Sequence, residues 1–408
     1  MSDTPANQLS LDEQVAWLMQ GTEFGDEELA RNMARELRER LAEGRPLRVY
    51  CGFDPRTSDL HLGHTIPMRK LRQFQELGHE VTFVIGDYTS LLGDPSDKDK
   101  LRPMLSEAEV ASNAQTYAQQ AFRILDPDRT HIRRNSEWLS KLSLLDVIKL
   151  AQNFTVQQFM SRENFALRLE KGDPIYLHET LYALMQGYDA VMLQADVQVG
   201  GTDQLFNILT AGRKLQEVFG LRPQIGIFLK ILPGTDGVAK MSKSLGNHIP
   251  ITATPQDMYG KVMSIPDSAI IPYFELATRY TPARIAEVKR RLAEGVNPRD
   301  IKMELAREIV AIFHGDAAAQ QAEAEFVQVF QKRGLPEEMP VLNVTSPITV
   351  VDAMLVLNFA SSKSDAKRLI AGGGVYLDGR AVKDPNEMLN PPQVLQVGKR
   401  RFARLERA

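Results

Sequence analysis

Along the chain, apolar positions begin at helical spacing, shift to short unbroken runs, and later return to helical spacing. Residues 1–46 carry two amphipathic helical patterns; in the second, Leu29, Met33, Leu37 and Leu41 recur among Arg and Glu. The run Leu47-Arg48-Val49-Tyr50-Cys51-Gly52-Phe53 predicts a strand, with a turn over 54–59. A helix is expected over 61–77, closed by Gly78; Pro67 fits only in its first turn, which puts His64 near the helix start. Residues 80–86 predict a second strand. Helices follow over 106–125, 144–151, 155–170 and 174–190, then a strand over 195–199 and a helix after Thr202. Strands alternating with crossover helices make a parallel α/β sheet, whose ligands sit at the carboxyl ends of strands beside helix N-termini.

From 255 to 332 the pattern is helical and charged without a strand signal, and 334–347 is a Pro-containing linker to a short tail. The expected class is α/β: a Rossmann-like parallel-sheet domain with N-terminal helices over 1–250, a helical domain over 251–333, and a small α/β domain over 348–408. The chain has 408 residues, 43% hydrophobic and 25% charged, proportions of a folded protein with two or three domains. No apolar run approaches the roughly 18 residues of a membrane span. The start, MSDTPANQLSLDEQ, lacks the basic and apolar stretches of a secretory signal. Cys51 stands alone, so neither an internal disulfide nor a multi-cysteine zinc site is possible. A cytoplasmic protein without a membrane partner is expected. The net charge is −3, but residues 351–408 hold ten Lys/Arg against six Asp/Glu, leaving 39 against 46 elsewhere. A basic module on an acidic body suggests a polyanion site, unless the asymmetry is a solvated surface.

Two short motifs carry the chemistry. His61-Leu62-Gly63-His64 lies at a strand-to-helix turn, and Lys240-Met241-Ser242-Lys243-Ser244 lies in a loop with Gly234, Gly237 and Gly246. Histidines at i and i+3 share one helical turn and can reach phosphate oxygens, while Gly63 lets a nucleotide approach closely. A metal-ligand reading of the pair lacks a completing carboxylate–histidine set, so no metal site is expected. A solvated loop would explain the lysines alone, but not both motifs in this order around an α/β domain.

With these motifs the chain resembles the class I aminoacyl-tRNA synthetases. Further stretches narrow the resemblance to the bacterial tyrosyl-tRNA synthetases over nearly the whole length. They are Tyr50-Cys51-Gly52-Phe53-Asp54-Pro55, Gly93-Asp94-Pro95-Ser96, Tyr182-Ala183-Leu184-Met185-Gln186-Gly187-Tyr188-Asp189 and Gly200-Gly201-Thr202-Asp203-Gln204. Tyr182, Gln186 and Asp189, at i, i+4 and i+7, share one helix face. A buried Asp189 needs a donor; a tyrosine substrate's phenol would supply one, with Tyr50 as a second contact. Otherwise Asp189 caps a helix or pairs with a core Arg. The resemblance implies that Tyr182, Gln186, Gln204 and Asp94 surround the substrate's α-ammonium. It also implies that Asp54, His61, Gly63, His64, Asp203, Lys240 and Lys243 bind ATP. His61, His64, Lys98, Arg102, Lys240 and Lys243 would then act on the phosphates, with Mg²⁺ accompanying the nucleotide. The substrate carboxylate attacks the α-phosphorus, and the aminoacyl group passes to the terminal ribose of tRNA(Tyr). The chain departs from the family at Arg56, where the family commonly has Thr (here Thr57, one later), and at Asp97, where it commonly has Gly.

The tail, from Ser362-Lys363-Ser364-Asp365-Ala366-Lys367-Arg368 through Gly372-Gly373-Gly374-Val375-Tyr376, resembles the S4 RNA-binding domain. Lys363, Lys367 and Arg368 share a helical face, and Lys399, Arg400 and Arg401 add a second basic cluster for RNA phosphates. The family is homodimeric, so a homodimer is expected. A tryptophanyl synthetase fits the pairing of Asp189 with Tyr50 less well. A small-metabolite adenylyltransferase needs no S4-like tail. An RNA-binding relative without activity predicts eroded motifs, which are intact here apart from Arg56 and Asp97.

Overall fold

Val49, Tyr50 and Cys51 are consecutive and all buried, so strand β1 (Arg48–Phe53) is covered on both faces, as in the middle of a parallel sheet. In the computed structural model, which describes residues 9–55, 60–96, 106–328, 339–344, 347–398 and 401–407, β1 pairs in parallel with β2 (Glu80–Ile85) and β4 (Val197–Gly201). The sheet is completed by β3 (Thr130–Arg134) beside β2 and β5 (Ile225–Leu229) beside β4, giving the order β3-β2-β1-β4-β5. Chain connections diverge to either side of β1 and β4, so the sheet's switch point lies at their carboxyl ends. Asp54 follows β1, Thr89 follows β2, and Asp203 and Gln204 follow β4.

Strands β3 and β5 were not expected from the sequence. β3 (Thr-His-Ile-Arg-Arg) is an edge strand with no fully buried side chain, so it has no apolar run to mark it. β5 is buried at all five positions, and so short an apolar run does not distinguish strand from helix by period. The N-terminal helices form at Leu11–Met19 and Glu27–Leu41, capped by Ser10 and Asp26. Helix Thr65–Glu76 follows a 3₁₀ turn at Leu62–His64, with His64 at its N-cap and Pro67 in its first turn. The single helix expected over 155–170 is instead two, Val156–Met160 and Glu163–Lys171, because Arg162 takes an extended conformation (φ −60°, ψ 130°) between them. The helix bearing Tyr182, Gln186 and Asp189 runs Leu177–Met192, starting three residues later than expected. After β4 the chain forms a 3₁₀ turn, Thr202–Gln204, then a π-helix, Phe206–Gly212.

The chain divides into two compact units, Met1–Asp316 and Ala317–Ala408. The expected helical segment supplies Pro255–Met263, Pro282–Ala293 and Pro298–His314, each starting with proline after a capping Thr254, Thr281 or Asn297. These helices, with Ile270–Ala277, belong to the first unit. In the second unit, strands β6 (Val341–Val344), β7 (Val375–Leu377), β8 (Arg380–Ala381), β9 (Gln393–Val397) and β10 (Arg401–Arg407) form one sheet ordered β6-β10-β9-β7-β8. Helices Val350–Val356 and Lys363–Ala371 pack on it through Val350, Met354, Ala366 and Ile370. Among the described residues, no helix is long and apolar enough to cross a membrane.

Candidate active site

Backbone pairing joins the histidine motif to the segment that follows the lysine loop. His61 forms a bridge with Pro250, Leu62 N–H donates to the Ile249 carbonyl at 2.9 Å, and Ile251 N–H donates to Leu60 at 3.1 Å. Met241 of the lysine motif is buried, and its Cβ lies 3.6 Å from the place a Gly63 side chain would start; the His61 ring lies 3.1 Å from it. A Cβ at 63 would therefore crowd the His61 ring while just touching Met241. The rings of His61 and His64 lie 3.8 Å apart, and His61 N–H donates to His64 Nδ1 at 3.2 Å. With Nδ1 accepting, a neutral His64 carries its proton on Nε2, where it is a donor. Burial pushes His61 down to about 3, helped by His64, His248 and Lys240, and His64 down to about 4, helped by Lys240. Both rings are thus neutral at pH 7, and the positive charge here belongs to Lys240 and Lys243. Their loop is held by Asn247, whose Oδ1 accepts from Ser242 N–H at 2.8 Å and whose Nδ2 donates to Asp236 at 2.6 Å. Gly234 has to lack a side chain, since a Cβ there would lie 2.2 Å from Asn247 Nδ2.

Across the sheet, Asp189 is 4% exposed. Trp138 Nε1 donates to its Oδ1 at 2.7 Å and Asn135 Nδ2 to its Oδ2 at 3.3 Å. Among the described residues, neither a helix cap nor a core arginine is involved. Burial pushes this carboxyl up to about 8 against the pull of those two donors, with Asp54 and Asp87 adding to the rise. Tyr50 shares the apolar cluster of Trp138, Leu139 and Ala190, and its buried hydroxyl has no hydrogen-bond partner among the described residues. Burial, then Asp189, raises that hydroxyl's pKa. Asn135 and Trp138 were missed in the sequence: they lie on a turn and a short helix (Ser136–Leu139) just after the polar edge strand β3. The available signal was the tryptophan itself, since a buried indole N–H seeks an acceptor.

From Asp189 a polar chain leads to the other motifs. Asn135 also donates to Thr89 Oγ1 at 3.0 Å, Thr89 donates to Asp54 Oδ1 at 2.8 Å, and Tyr182 OH donates to Asp54 Oδ2 at 3.1 Å. Burial and the nearby carboxylates Asp54, Asp94 and Asp189 raise the Tyr182 hydroxyl, which stands among all three. It donates to Asp54 and not to Asp94. Gln204 Nε2 donates to Asp94 Oδ2 at 2.6 Å, Asn207 Nδ2 donates to Gln186 Oε1 at 2.8 Å, and Asn207 also donates to Gln204 at 3.0 Å. Gln186, Gln204 and Asp94 thus form one cluster, with Asn207 an unforeseen member. Asp203 is exposed and accepts from Gln204 at 3.0 Å. The arrangement offers a carboxylate slot for a hydroxyl, a carboxylate–amide cluster for a cation, and neutral donors with lysines for phosphates.

Lys98, Arg102, Arg56 and Asp97 lie outside the described residues, as do Lys399 and Arg400. In the second unit Lys363 is exposed and pairs with Asp352 at 3.1 Å, and Arg368 pairs with Asp365 at 2.8 Å. Lys367 is exposed on the same helix. Arg401 donates to the Phe359 carbonyl and lies over its ring. Among the described residues, no three His, Cys, Asp or Glu side chains gather as a metal site.

A family model described as tRNA synthetases class I (W and Y) matches residues 42–331, and one for the S4 domain matches residues 351–394. The tyrosine–tRNA ligase of Thermotoga maritima is 50% identical over 373 residues, covering 91% of this chain and 93% of its own. That of Moorella thermoacetica is 49% identical over 378 residues, covering 92% and 91%. Among solved structures, a C-terminally truncated mitochondrial tyrosyl-tRNA synthetase of Aspergillus nidulans matches with TM-score 0.64 and 23% identity, over 78% of this chain and 94% of that one. The Archaeoglobus fulgidus tyrosyl-tRNA synthetase, complexed with L-tyrosine, matches with TM-score 0.60 and 23% identity, over 77% and 100%.

Proposed function

The chain belongs to the tyrosine–tRNA ligases of the class I tRNA synthetases, and from that premise we propose which of its residues carry out the two steps of the reaction. The enzyme joins tyrosine to tRNA at the expense of ATP. The observation that carries the assignment is Asp189: a buried carboxylate whose two oxygens are fixed by Trp138 and Asn135, beside the unpartnered Tyr50 hydroxyl. The phenol of tyrosine donates to Asp189 and accepts from Tyr50, which gives the buried Tyr50 hydroxyl a partner. Asp94, Gln186 and Gln204, with Tyr182, receive the α-ammonium. The substrate carboxylate then attacks the α-phosphorus, the bond to the bridging oxygen breaks, and pyrophosphate leaves. His64, Asp54, Asp203 and Gly63 shape the nucleotide site, and Lys240, Lys243, Lys98 and Arg102 meet the charge that builds on the phosphates. A terminal ribose hydroxyl of tRNA(Tyr) next attacks the adenylate carbonyl, releasing AMP.

Mg²⁺ enters with ATP. Among the described residues no three His, Cys, Asp or Glu side chains gather as a metal site, and the ion would be held largely by the nucleotide's phosphate oxygens. The basic face of Lys363, Lys367 and Arg368 meets tRNA phosphates; its pairs with Asp352 and Asp365 are exposed and cost little to exchange. Lys399, Arg400 and Arg401 are the second basic cluster offered to RNA phosphates. A cytoplasmic setting follows from this substrate. ATP–pyrophosphate exchange run with single amino acids tests the reading: tyrosine supports exchange, and support from tryptophan in its place refutes the assignment.

The homodimer rests on apolar exposure. Leu144 (77% exposed), Leu145 (59%) and Ile148 (54%) lie on one helix, with Val156 and Leu177 also in water, apolar side chains of the kind an interface covers. A second copy covers them. Ile148→Asp is expected to yield monomers by analytical ultracentrifugation at concentrations where the wild type is a dimer. A wild type that sediments as a monomer removes the proposal.

A further inference from the structure

Arg162 is 5% exposed, and the sequence gives no reason for a buried cation at this break between two helices. Its guanidinium lies 5.4 Å from the Phe165 ring and 5.7 Å from the Phe206 ring, and its Nη1 is buried without a partner. Taking an arginine out of water is costly unless charge and hydrogen bonds compensate. The compensation comes from the turn that carries Asp94. Arg162 Nη2 donates to Ser96 Oγ and lies 3.6 Å from Asp94 Oδ1. Ser96 in turn donates to the same oxygen through its hydroxyl and, at 2.9 Å, through its N–H. Two residues on, Asn164 Nδ2 donates to the Pro95 carbonyl at 2.8 Å. One oxygen of Asp94 is thus held by Ser96 and Arg162, while the other faces Gln204.

We propose that Arg162 is a positioning residue for amino-acid binding, holding the 93–96 turn so that the Asp94 carboxylate meets the substrate's ammonium group. The inference rests on Asp94 as the ammonium acceptor, and adds a residue that touches neither substrate. The aromatic rings on the guanidinium keep it from swinging out to solvent. Asn164 fastens the same turn by its backbone and acts without charge.

The test measures KM for tyrosine and for ATP separately, in ATP–pyrophosphate exchange with the full chain. Arg162→Met is expected to raise the tyrosine KM roughly tenfold or more, with the ATP KM and kcat each within about threefold. Arg162→Lys is expected to recover most of the loss, because both contacts run through one terminal nitrogen that a lysine cation can replace. In an Asp94→Ala background, Arg162→Met is expected to add little, since the partner through which it acts is gone. An unchanged tyrosine KM, a parallel rise in both KM values, or full additivity with Asp94→Ala overturns the proposal. A wild type without tyrosine-dependent exchange overturns it together with the functional reading. A tyrosine-dependent wild type with a normal Arg162→Met overturns this inference alone.

Discussion

Asp189→Asn is expected to lower kcat/KM for tyrosine by roughly 5- to 150-fold, the range for leaving one buried donor without its acceptor, about 1–3 kcal/mol. The swap preserves shape, which isolates the chemistry. Donors stand at both carboxylate oxygens, Trp138 Nε1 at one and Asn135 Nδ2 at the other. An amide has a single acceptor end, so its NH₂ must face one of those donors or the phenol. The same variant has a stability signature. Burial pushes the Asp189 carboxyl up to about 8 from its ordinary 3.8, so the folded chain holds this proton more tightly than the unfolded chain. Its contribution to stability is therefore complete below about pH 4 and is lost as pH rises toward 8. Urea denaturation of the ligand-free protein at pH 5 and pH 8 should show that decline in the wild type and a flatter profile in Asp189→Asn. Equal profiles, with unaltered tyrosine kinetics, would exclude Asp189 from the binding slot.

Lys243→Ala is expected to slow single-turnover formation of tyrosyl-adenylate by roughly 10²- to 10³-fold, the usual cost of removing one preorganised group that meets transition-state charge. Tyrosine affinity should hardly change, because the lysine loop lies with His61 and His64 rather than with Asp189. The reasoning turns on charge. With His61 down at about 3 and His64 at about 4, the histidines supply hydrogen bonds, and the lysines supply the cations. A rate within threefold of wild type in rapid quench would show that the loop's charge does not act on the reacting phosphates.

Much of this site was legible in the residues. The histidine and lysine motifs name themselves, and the i, i+4, i+7 spacing of Tyr182, Gln186 and Asp189 already placed them on one helix. Other members left little trace. Asn135 and Trp138 follow a strand so polar that no apolar run announces it. Asn207 sits in a π-helix, a winding that sequence period does not signal. Arg162 looks like any surface arginine until the break at its own position turns it inward.

By itself the linear chain determined three of the five parallel strands, most of the helices, the residue types of each motif, and the family, because periodicity and short-range spacing are local properties of the polymer. Only the tertiary structure decided which distant groups share a proton or a charge: that Asp189 meets Trp138, that Ile249 brings the lysine loop to the histidines, and that Arg162 faces Asp94. Those pairings depend on strand order and burial, and desolvation, which sets the carboxyl near 8 and the imidazoles near 3 and 4, arises only when the chain has closed around them.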